Sequence, residues 1–105
     1  MQRVCFILKI KKGCVQKYLK AHRVWPEMRS AIRKAGITNY SLFINKEGLA
    51  VGYFEAKDPK GSLRKLGETE VNRRWQEYMS SFFSGGSGDL KKGSVEWLKQ
   101  YFYLK

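Results

Sequence analysis

Two changes of hydrophobic period and one hairpin signal predict an α+β fold in the order β-α-β-β-α-β. Residues 3–10 are β-branched and aromatic and apolar at both odd and even positions, the pattern of a strand covered on both faces. From Cys14 to Ala35 apolar residues recur at threes and fours, the spacing of a helix face. Residues 37–45 and 49–56 then return to strand character, joined by Lys46, Glu47 and Gly48, a short glycine-containing link that signals a hairpin. This is the order of ferredoxin-like folds, an antiparallel four-stranded sheet with two helices on one face.

A chain of 105 residues with 43% hydrophobic content fits one domain over 1–105 and one core. Its net charge of +12, from 21 Lys and Arg against 9 Asp and Glu, would attract phosphates, acidic polymers or an anionic membrane surface, and is equally what a solvated basic surface looks like. No run approaches the ~20 apolar residues that span a bilayer, and the N-terminus is interrupted by lysine too soon for a secretory signal. Cys5 and Cys14 read as reduced thiols, so a cytoplasmic protein with no membrane association is expected.

Lys11, Lys12 and Gly13 end the first strand. In the helical run that follows, Pro26 lacks an N–H and crowds the carbonyl of His22, so a break is expected directly after the histidine, and Gly36 supplies the stop. Asp58 and Pro59 open a second helical region that reaches Phe83 with a weak point at Gly67. The Gly/Ser-rich residues 84–92 read as a flexible loop. A short helical turn is expected at 95–98 and a final strand at 101–104, where aromatics crowd. Strand parity puts Tyr40, Leu42 and Ile44 on one side of the hairpin and Phe43 on the other, with Leu49, Val51 and Tyr53 opposed to Ala50, Gly52 and Phe54. With apolar groups on both faces, a homodimer pressing sheet to sheet is expected.

The chemistry centres on His22, the only histidine. It lies four residues after Tyr18 and three before Trp25, so the three rings share a helical stripe. A group titrating near neutrality beside a phenol and an indole suits proton transfer to a sugar-like ligand, although such stripes are more often core packing. Trp25 with Pro26 reads as a structural anchor, and Tyr78 and Met79 as core. One histidine and two distant cysteines leave no obvious ligand set for structural zinc.

Arg3 and the strand around Phe6, Tyr18, His22, the triplet Trp25-Pro26-Glu27, Asn39-Tyr40, Arg74-Trp75 with Tyr78-Met79, and terminal Phe102-Tyr103-Leu104 follow one another as in a known family. Over nearly its whole length the chain resembles the L-rhamnose mutarotases. That resemblance implies a dimeric α/β barrel that interconverts the α and β anomers of L-rhamnose, a monosaccharide, with no metal and no cofactor. It implies that His22 is the catalytic proton donor and that Tyr18, Tyr40 and Trp75 contact the sugar. Family members often have a second tryptophan where this chain has Gln76, so Gln76 would offer the substrate an amide hydrogen bond. They commonly place three residues between the histidine and the Trp-Pro-Glu triplet, where this chain has two, Arg23 and Val24.

Two alternatives come from other classes. The same element order and a basic chain occur in RNA-binding RRM modules, and residues 49–54 have some likeness to their aromatic strand. The Lys/Arg-Gly-aromatic start of that strand is missing, since Glu47, Gly48 and Leu49 stand there, so nucleic acid is not the favoured partner. The other alternative is a dimeric barrel that binds a ligand without catalysis.

Overall fold

In the computed structural model, which describes residues 1–84 and 95–105, strand β1 (Gln2–Lys9) pairs antiparallel with β3 (Leu49–Ala56), from Gln2 opposite Ala56 to Lys9 opposite Leu49. β2 (Thr38–Ile44) flanks β3 and β4 (Glu96–Leu98) flanks β1, giving the antiparallel order β2-β3-β1-β4 of a ferredoxin-like sheet. The even positions of the central strands, Phe6, Leu8, Ala50, Gly52, Phe54 and Ala56, are buried. They form one core with Met28, Leu66, Trp75 and Met79 from the helices. Gly52 is required there: a Cβ on it would stand 2.2 Å from Cζ of Phe6, whose ring is fully buried.

Each of the two expected helical runs breaks once, so among the described residues four α-helices cover the sheet. The first divides into α1 (Val15–Ala21) and α2 (Pro26–Lys34), and the break falls directly after His22, as Pro26 predicts. Pro26 opens α2 at a position where its missing N–H leaves no bond unmade. At the other end Gly36 takes φ 92°, its N–H donating to Arg33 O at 2.9 Å while the Ile37 N–H donates to Ile32 O at 3.2 Å. These two bonds satisfy carbonyls the helix would otherwise orphan and turn the chain into β2. The second run becomes α3 (Pro59–Gly67) and α4 (Glu70–Met79). Asp58 caps α3 by accepting from the Gly61 N–H. The break beyond Gly67 comes from Thr69, extended at φ −84° and ψ 142°, whose hydroxyl accepts from the Asn72 N–H and donates to Leu66 O.

Two expectations at the C-terminal end fail. Residues 96–98 are strand β4 instead of a helical turn, because Trp97, opposite Phe6, packs its ring 5.5 Å from the Phe6 ring. Residues 101–104 form no strand: the place beside β1 is taken by β4, and Tyr101 and Leu104 are 94% and 81% exposed. Tyr103 is instead held by the Arg3 guanidinium, 3.8 Å from its ring centroid. The loop expected over 84–92 lies, beyond Ser84, outside the described residues.

The sheet face away from the helices carries the odd positions Cys5, Ile7, Val51 and Tyr53, with Phe43 opposite Val51 and Leu98 opposite Cys5. Phe43 is 67% exposed there. No helix among the described residues is long and apolar enough to cross a membrane.

Candidate active site

A cavity of about 630 Å³ opens between the inner face of the sheet and the helices, and Tyr18, His22, Tyr40, Trp75 and Gln76 all line it. Three separate stretches of sequence bring them there. Tyr18 faces inward from α1, buried against Phe82 and Phe83 with ring centroids 5.9 Å apart. His22 caps the same helix, its N–H donating to Tyr18 O at 2.9 Å, and its φ of −80° and ψ of 63° take the chain out of the helix. The imidazole therefore stands at an irregular, half-buried corner, between Tyr18 at 5.4 Å and the edge of Trp75 at 5.5 Å and 82°. Trp25 packs on the far side of Trp75 at 5.1 Å and is absent from the cavity wall, consistent with an anchoring part. Met79 is core, as expected, but Tyr78 is half exposed, lying against Trp25 on the outside of α4.

Tyr40 faces the cavity by the same alternation as Leu42, and an irregularity in β2 lies directly before it. Thr38 pairs with Glu55 and Ser41 with Tyr53, so two residues of β2 stand opposite Phe54 alone, and Asn39 takes φ 50°. This bulge changes which face the strand presents. The Asn39 amide donates to Glu55 Oε1 at 2.9 Å, while the Tyr53 hydroxyl donates to Glu55 Oε2 at 2.6 Å. Those donors, Tyr53 first and then Asn39, hold the Glu55 carboxyl below its usual range. Tyr40 then packs its ring against Phe54 at 5.7 Å and Phe6 at 6.3 Å.

Burial pushes the His22 pKa down, so the imidazole is neutral near pH 7 and offers both an N–H and a lone pair. Burial pushes the Tyr18 phenol up to about 12, and the Tyr40 phenol rises through burial and the neighbouring Tyr18. Both phenols therefore keep their protons near pH 7. Asn72, which the sequence reading missed, is buried in the wall, where its Oδ1 accepts from Gln76 Nε2 at 3.3 Å. Its signal was present in the period: residues 72, 75, 76 and 79 share one face of α4. Arg29 and Arg33 of α2, also missed, are the charged residues of the lining among those described. Among the described residues no group of three His, Cys, Asp or Glu side chains is placed to hold a metal ion.

A family model described as L-rhamnose mutarotase matches residues 3–104 of the chain. An L-rhamnose mutarotase of Listeria monocytogenes is 34% identical, with 99% of each chain covered. One of Lactiplantibacillus plantarum is 36% identical over 75% of this chain and 77% of its own length. The crystal structure of an L-rhamnose mutarotase from Formosa agariphila superposes with a TM-score of 0.79 at 22% identity, covering all of both chains, and so shares the fold. These matches do not favour the nucleic-acid-binding alternative. The chain belongs to the L-rhamnose mutarotase family.

Proposed function

We propose that this chain interconverts the α and β pyranose anomers of L-rhamnose in the cavity under Trp75, and that His22 is the group that moves the proton. The observation carrying this reading is the neutral imidazole held between a phenol and an indole on the wall of a cavity large enough for a monosaccharide. In ring opening the His22 lone pair takes the proton of the anomeric hydroxyl, the freed electron pair forms the C1=O bond, and the C1–O5 bond breaks. O5 takes the phenolic proton of Tyr18. The imidazolium and phenolate that result form side by side, each lowering the cost of the other's charge. After rotation about C1–C2 the steps reverse on the other face: the phenolate recovers the O5 proton as O5 attacks C1, and the imidazolium gives its proton to the carbonyl oxygen. His22 is thus base in opening and proton donor in closing. Tyr40, Trp75 and Gln76 hold the sugar, the indole offering a platform to its apolar face and the amide a hydrogen bond.

Two further parts complete the proposal. The open sheet face with Ile7, Phe43, Val51 and Leu98 pairs with the same face of a second copy, since this pairing would cover side chains such as Phe43 and Leu98 that the single chain leaves exposed. The unpaired thiols of Cys5 and Cys14 support a cytoplasmic setting.

Saturation-transfer NMR on L-rhamnose tests the reaction, comparing wild type, His22→Ala, Tyr18→Phe and buffer. Wild type accelerates exchange. His22→Ala loses about 10²–10⁴-fold of the enzymatic rate, the scale of one positioned acid–base group. Tyr18→Phe does less damage, because water can supply the O5 proton. Exchange with wild type no faster than in buffer overturns the reading.

A further inference from the structure

L-Rhamnose is uncharged, yet the cavity has a basic mouth. Arg29 and Arg33 both line it from α2, four residues and roughly 6 Å of helix rise apart. Both are exposed, which puts them at the opening instead of the floor. Among the described residues no Asp or Glu belongs to the lining. Among the described residues the ion pairs join Lys12 to Glu47, Arg73 to Glu70 and Glu77, and Arg74 to Glu27, and neither Arg29 nor Arg33 takes part in one. Cations in the last turn of a helix complement its dipole, which accounts for Arg33 and Lys34. Arg29 lies one turn earlier and is not covered by that reason. The walls beside it, Met28, Ile32 and Leu63, are apolar, so a charge entering the mouth would be screened less than in open water.

We propose that, besides L-rhamnose, the cavity also takes an anionic aldose, a sugar with a free anomeric centre and a carboxylate or phosphate at the far end, whose negative group is gripped by Arg29 and Arg33. The planar guanidinium fork matches both oxyanions in a two-bonded geometry. The inference rests on the anomerase reading, with the anomeric carbon at His22, and it extends the class of substrate beyond neutral sugars.

The test compares four sugars of the same L-manno configuration that differ only at C6: L-rhamnose, L-mannose, L-mannuronate and L-mannose 6-phosphate, each corrected for its own rate in buffer. Wild-type kcat/KM on one or both anions should exceed that on L-mannose by roughly tenfold and fall with ionic strength. Whether mannuronate, the phosphate or both gain identifies the group accepted. In Arg29→Gln/Arg33→Gln the advantage of anion over L-mannose should disappear, and in Arg29→Lys/Arg33→Lys part of it should return. Anions exchanged no better than L-mannose, with L-rhamnose still accelerated, overturn the inference and leave the anomerase reading standing. An advantage that survives the double glutamine substitution also overturns it. No acceleration of any sugar overturns both.

Discussion

At the scale of single residues, the burial of His22 fixes how the protein responds to pH. Its folded pKa lies below the ordinary value of about 6.5, so activity that needs the neutral imidazole rises with pH through the lowered pKa and levels off above it. The upper limit set by the Tyr18 phenol, near 12, falls beyond any practical assay. A profile of kcat/KM that falls as pH rises through this region would assign His22 the opposite role, as the acid of ring opening. Stability moves the same way. Between the two His22 values the unfolded chain holds the extra proton, so stability increases with pH through that window, and the contribution is complete above about 6.5. Thermal melts from pH 5 to 7 would show the slope, and His22→Ala should flatten it. Tyr18 and His22 were legible as a pair because one helical turn separates them. Arg29 and Arg33 were not, since a charged residue on an amphipathic helix looks the same in sequence whether it faces solvent or a cavity mouth.

At the scale of elements, Tyr40 sits beside a bulge whose two anchors lie on the opposite face of the sheet. Removing the carboxylate in Glu55→Ala frees both Asn39 and Tyr53, and KM for the sugar should rise roughly fivefold with little change in kcat, while Glu55→Gln keeps part of the grip. Equal kinetics in wild type and Glu55→Ala would show that the bulge holds Tyr40 unaided. Gly52→Ala should be costlier to the fold, by about 1–3 kcal/mol of overpacking, because the Phe6 ring it would strike is enclosed by Tyr40, Phe54 and Trp97. A lowered Tm checks this. The first three strands and the break after His22 could be read from period and proline alone. The break before α4 carried a signal in Thr69, a capping residue followed by an acid, that the apolar spacing across it obscured. β4 was missed because three residues carry too little pattern, and what holds them is a cross-strand contact between Trp97 and Phe6 that only the assembled sheet supplies.

At the scale of the whole molecule, the proposed dimer and the cavity occupy opposite sides of one sheet. Phe43→Asp should place a charge within the paired faces and yield a folded monomer, read by sedimentation velocity against the wild-type dimer. A wild-type monomer at micromolar concentration would end the sheet-to-sheet proposal. The strong basic charge was plain from composition, but its distribution was not, and only the fold sets two of those arginines at the cavity rather than on open surface. The strict alternation along β1 and β3 also gives the molecule a separability that protein engineers usually have to build. Even-numbered positions on these strands touch the core and pocket, and odd-numbered positions touch the outside. A pocket rebuilt for another sugar at even positions keeps the same outer surface for assembly.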